Sequence, residues 1–140
     1  MKKNIIYLCT LTVFIVLVIG IFTTMHHIGV NPFRNVGKTI QNDYTYNRYI
    51  FEKIATNNQE DTFITKENYD KSSEELHFIF DTLKYESIRI SYGTVFFCKN
   101  YDGMTRIGLF FSNYSYKPTP KQNIVKKLSE NWIILEEHIL

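Results

Sequence analysis

Residues 5–25 form an uncharged apolar run, entered directly from Lys2 and Lys3 and followed by His26 and His27. A helix needs roughly 20 predominantly apolar residues to cross the hydrocarbon core of a bilayer. Ile, Leu, Val and Phe dominate this stretch, and nothing in it is more polar than Tyr7, Cys9 and a few threonines. Each large apolar side chain contributes about −0.3 to −0.6 kcal/mol near the bilayer centre, so the sum favours insertion. Residues 1–30 are therefore expected to be an N-terminal membrane anchor, a transmembrane helix through residues 5–25, with residues 31–140 forming one domain beyond it. A cleavable signal peptide begins the same way. Cleavage after Gly20 is the alternative, and Ile21 and Phe22 weigh against it by carrying the apolar run past the point where a signal peptide turns polar. Cys9, preceded by Tyr7 and Leu8 rather than by small residues, reads as an apolar side chain within the span. Lys2, Lys3 and the terminal amine precede the run, so the positive-inside tendency places the N-terminus in the cytoplasm and the domain outside it.

About 110 residues suffice for a single hydrophobic core. The chain carries 16 Lys and Arg against 14 Asp and Glu, and Lys2 and Lys3 supply that whole excess. The domain is thus neutral, whereas a nucleic-acid partner requires a net basic surface. No nucleic acid is expected as a partner. A cysteine in the bilayer cannot bridge Cys98 in a water-facing domain, so no internal disulfide is expected either. Asn113, Tyr114 and Ser115 match the acceptor pattern for N-glycosylation, which matters only in a eukaryotic secretory pathway.

Local patterns give an α+β domain with an antiparallel β-meander and two or three helices. Asn31, Pro32 and Gly37 suggest a linker over residues 31–37. Tyr46, Tyr49, Ile50 and Ile54 recur at helical spacing, predicting a helix over 44–56 capped by Asp43. Residues 57–70 read as a loop with Phe63 and Ile64 turned inward. Ser72 with Glu75 is a capping-box pattern, followed by the stripe Leu76, Ile79, Phe80 and Leu83, so a second helix is expected over 73–84. Strand character appears over 86–90, where Ile88 and Ile90 alternate with polar residues. Ser91, Tyr92 and Gly93 suit a three-residue hairpin loop that sets Ile88 beside Phe96. Asp102-Gly103 between apolar runs signals a two-residue turn, pairing Cys98 with Ile107 and Phe96 with Leu109. In that register Phe96, Cys98, Ile107, Leu109 and Phe111 form the buried face and Phe97 covers Gly108. Arg89, Lys99 and Arg106 share the opposite face. Thr119, Pro120 and Gln122 resemble a helix start leading into Ile124, Val125 and Leu128, and Asn131 ends that helix. Trp132 to Leu135 then form a last strand, with a helix continuing to the C-terminus as the alternative.

For function the chain offers no phosphate loop, dinucleotide fingerprint, zinc spacing, nucleophile elbow or paired-cysteine motif. No cofactor, metal or catalytic residue is assigned from sequence. His77 beside the second helical stripe reads as a surface group, since zinc takes three or four ligands. Cys98 reads as a small core residue, which argues against a nucleophile. Glu136, Glu137 and His138 read as a solvated end. The expectation is a non-catalytic protein-binding module outside the cytoplasm, an envelope-complex subunit or an immunity-type inhibitor, with Arg89, Lys99 and Arg106 as the candidate partner-binding residues. An enzyme with an unrecognised site and a secreted protein are the alternatives. The bland reading of the three cations is a solvated sheet face that discourages edge pairing.

Overall fold

The computed structural model describes residue 15, residues 34–57 and residues 60–139. The expected membrane span lies outside the described residues except for Ile15. Among the described residues no helix is long and apolar enough to cross a membrane.

The fold is α+β: a six-stranded antiparallel sheet with two helices. Its elements are α1 (Arg34–Asn57), β1 (Thr62–Thr65), α2 (Glu74–His77), β2 (Ser87–Ser91), β3 (Thr94–Tyr101), β4 (Thr105–Ser112), β5 (Gln122–Lys127) and β6 (Trp132–His138). The strand order is β1-β2-β3-β4-β6-β5, so β1 and β5 are the two edges.

Helix α1 begins ten residues earlier than its apolar stripe predicts, taking in the end of the expected linker. Asp43 is therefore an interior residue and not a cap. The helix bends at Asn47 (φ −125°, ψ 24°), where the Asn47 side-chain amide donates to the Asp43 carbonyl at 3.1 Å. A side chain that enters the backbone ladder in this way is a recognised cause of kinks. Ile40, Tyr44, Ile50, Phe51 and Ile54 form the buried stripe. It meets a sheet face that carries Val95, Phe97, Leu109, Phe111, Trp132 and Ile134, all buried. Phe51 stands edge-on to Phe97 at 5.1 Å, and Tyr44 lies 5.3 Å from Trp132. Paired aromatics at such separations add roughly 0.5–1.5 kcal/mol beyond area burial.

Several local expectations are overturned. Residues 62–65 form strand β1, antiparallel to β2, and Phe63 is 54% exposed instead of tucked in. The second helix is capped by Ser73, not Ser72, through a bond from the Leu76 amide. After one α turn it widens into a π turn, Phe78–Thr82, that buries Ile79 and Phe80. The β2–β3 hairpin closes on two residues, Tyr92 and Gly93, with φ of +39° and +78°. That shortening sets Ile88 against Phe97 and Arg89 against Phe96. In the β3–β4 hairpin, Phe96 pairs with Phe110, Phe97 with Leu109 and Cys98 with Gly108. A one-residue slip exchanges the faces of a strand, so Phe96 and Cys98 belong to the face opposite Ile107, Leu109 and Phe111. Gly108 has no room for a side chain, because a Cβ there would sit 2.1 Å from the Phe97 carbonyl oxygen.

The expected third helix is strand β5. Gln122 does accept from the Thr119 amide at 3.1 Å, as a capping box requires, but the Gln122 amide returns to the Thr119 carbonyl and closes a turn. The chain then runs along β6, which is the strand expected from Trp132 onward and pairs with β4 and β5.

Candidate interaction surface on the second sheet face

Alternation along β3, β4 and β6 places Phe96, Cys98, Phe110, Ile133 and Leu135 on the face away from α1, where they form a small buried cluster. Its cover is Tyr116, whose ring lies 4.5 Å from Phe110. The cover is tied down by a polar chain. The Tyr116 hydroxyl donates to Gln122 Oε1 at 2.6 Å, and Gln122 Nε2 donates to Glu137 Oε1 at 3.0 Å. Glu137 in turn receives Arg89 Nη2 at 3.2 and 3.3 Å on its two oxygens. Burial, and after it the Glu137 carboxylate, push the Tyr116 phenol above its ordinary value.

Arg89 sits mid-strand in β2, flanked by Phe63 on β1 and Phe96 on β3. Its guanidinium lies 5.6 Å over the Phe96 ring. Arg106 pairs with Tyr101 on one side and Glu137 on the other, and its guanidinium lies 5.3 Å over the Tyr101 ring. The two arginines line one shallow depression of about 440 Å³, together with Asp61, Phe63 and the β2 backbone. Phe63 presents apolar surface in this depression, and Tyr101, 44% exposed, lies beneath Arg106.

Lys99 does not join them. Lys99 continues the alternation of Val95 and Phe97 and so faces α1, and the irregularity between Cys98 and Asn100 leaves it unpaired in the β3–β4 ladder. There its ammonium contacts Asp43 Oδ2 at 2.9 Å, the Leu83 carbonyl and the Tyr85 ring at 4.5 Å. Burial first, and the Asp43 carboxylate second, hold the Tyr85 phenol well above its usual value. The structure thus brings together Arg89 and Arg106 of the three cations singled out from sequence. Phe63 and Tyr101 were missed; the uncharged Thr62–Thr65 segment, with Phe flanked by β-branched residues, was the available signal for the former.

Cys98, His77 and His138 are separately housed. Burial pushes the Cys98 thiol up to about 11, with the Glu86 carboxylate adding to it. His77 faces Asp81 at 3.5 Å, and Asp81 also accepts from the Tyr69 hydroxyl at 2.5 Å. That hydrogen bond chiefly, with the His77 charge in support, holds the Asp81 carboxyl below its ordinary value. His138 Nδ1 lies 3.2 Å from the Thr105 hydroxyl. Among the described residues no group of three or more His, Cys, Asp or Glu is placed to hold a metal ion. No protein-family model, no curated protein and no solved structure matches the chain.

Proposed function

We propose that the chain is a single-pass membrane protein whose domain lies outside the cytoplasm and binds another protein through the sheet face that carries Arg89, Arg106 and Phe63. The reading makes it a subunit of an envelope complex or an inhibitor of a partner protein, with residues 5–25 as the anchor. The observation that supports the binding face is the pair of guanidiniums laid over aromatic rings beside the 54% exposed Phe63. Arginine and aromatic side chains are enriched among residues that dominate protein interfaces. A guanidinium already stacked and ion-paired also loses less freedom on binding. The depression is open and shallow, a form that suits a protein surface better than an enclosed small molecule.

Arg89 and Arg106 differ in what they offer. Arg89 is engaged with Glu137, so its share is positional; Arg106 keeps its guanidinium edge for a partner carboxylate or carbonyl. A photo-crosslinking residue at position 63 of the full chain, irradiated in intact cells, should give one adduct of defined mass. That adduct should be lost when Arg106 is changed to Ala and retained when exposed Tyr49 on α1 is changed to Ala. An adduct indifferent to Arg106, or no adduct, would overturn the assignment of this face.

A further inference from the structure

The two edges of the sheet are oppositely charged, although the domain is neutral as a whole. Residues 60–70, which carry β1, hold Glu60, Asp61, Glu67 and Asp70 against Lys66 alone. Residues 117–129, which carry β5, hold Lys117, Lys121, Lys126 and Lys127 and no acidic residue. All four lysines are exposed, and none is in a salt bridge among the described residues. Lys126 donates instead to Gln41 Oε1 of α1 at 2.8 Å. Between these cations β5 exposes Ile124 (38%) and Val125 (44%). Five interstrand intervals separate the two edges, on the order of 24 Å.

The chain enters the domain at the basic edge. Gly37, in the first turn of α1, lies beside Val125, with 3.8 Å from a Cβ built there to Val125 Cγ1. Only eight residues, 26–33, join the expected membrane span to Arg34, a reach of at most about 29 Å. The acidic edge lies at the other side of the sheet. We infer that the β5 edge, through Lys121, Lys126, Lys127 and the exposed Ile124 and Val125, docks on the anionic headgroup surface of the bilayer that holds the anchor. This rests on the anchor assigned under the proposed function. A leaflet on the domain's side that carries anionic headgroups attracts juxtamembrane lysines within about a Debye length. The same field repels the acidic edge whenever that edge comes within this length, which leaves the Phe63 side of the sheet towards a partner. On the neighbouring strand Glu136 stands opposite Asn123 and Glu137 opposite Gln122; Glu137 is already matched by Arg89.

Lysines on an edge strand also serve simply to block edge-to-edge pairing. Charges of either sign do that, whereas docking requires positive ones. The test uses the full chain with Cys9→Ser, reconstituted in phosphatidylcholine vesicles with or without one third phosphatidylglycerol, about 30% anionic lipid. A fluorophore is placed at Asn123→Cys on β5 or, as reference, at Thr62→Cys on β1. With phosphatidylglycerol, a headgroup spin-labelled lipid should quench the label at 123 severalfold more than the label at 62. The excess should vanish in pure phosphatidylcholine and in Lys121→Glu, Lys126→Glu, Lys127→Glu chains whose near-UV signal from buried Trp132 is native. Equal quenching at both positions, or an excess indifferent to charge reversal, overturns the docking while leaving the anchor intact. Failure of the chain to float with vesicles at high salt overturns the anchor and, with it, the docking.

Discussion

Lys99 joins three parts of the molecule through one ammonium, which meets Asp43 of α1, the Leu83 carbonyl after the π turn and the Tyr85 ring. The Lys99 and Asp43 side chains are only 13% and 14% exposed. Removing one partner of such a pair strands the other charge, at a cost of about 3–5 kcal/mol. Lys99→Met should therefore lower the urea midpoint steeply, while Lys99→Met with Asp43→Leu should recover most of the loss, because two apolar groups strand no charge. A Lys99→Met chain as stable as its parent would contradict this role. Sequence alternation alone assigns Arg89 and Arg106 to one face correctly and Lys99 to it wrongly. The cause is register: the two hairpins put Arg89 and Arg106 on the face of Phe96 and Cys98, whereas Lys99 follows Val95 and Phe97. A run such as Phe96-Phe97-Cys98-Lys99, apolar on both faces, does not mark which register holds. Cys98 was legible as a buried residue from the same run, although not the face it occupies.

At the scale of elements, turn chemistry decided what periodicity could not. Asp102 and Gly103 do form the β3–β4 turn, yet the last ladder pair is Tyr101 with Arg106, so the loop is four residues long. Asp102 Oδ1 accepts from the Met104 amide at 3.0 Å and the Thr105 amide at 2.8 Å, and Gly103 takes φ +92°. These two backbone donors hold the Asp102 carboxyl below its ordinary range. Because the folded value is depressed, the stabilisation is complete above the unfolded value, near 3.9, and is lost as pH falls through the lower folded value. The Met104 and Thr105 amide proton shifts should titrate together with an apparent pKa below about 3.9, and a common midpoint at or above that value would refute the arrangement. The error at β5 has a similar origin. Thr119, Pro120 and Gln122 satisfy the local rules for a helix start, but a capping box fixes one turn only. The next residues, Asn123-Ile124-Val125, are better suited to an edge strand beside β6, since β-branched residues favour extended backbone. The existence of α1 and of the strand from Trp132 was legible from their periodicity, but only Ile50 and Ile54 of the expected α1 stripe are buried, while Tyr46 (80% exposed) and Tyr49 (69% exposed) face outward. The strand β1 was not legible, since four residues set no period.

For the whole molecule, a net charge near zero conceals a division that matters. The total is close to neutral, but acidic residues collect around β1 and lysines around β5, at opposite edges of one sheet. Sequence alone does not expose this, because β5 was expected as a helix and strand order is not written in any local pattern. The proposed account places the basic edge and the entry of the chain together near a membrane, and the Arg106 and Phe63 face away from it. All of this depends on where the domain lies. The most direct test is protease shaving of intact and permeabilised cells that carry a C-terminal tag, read by size in the membrane fraction after a high-salt wash. The account predicts a full-length chain that stays with the membrane and a tag digested from outside in cells whose cytoplasm is still sealed. A tag protected until the cytoplasm is opened, or a shorter product free of the membrane, would contradict it.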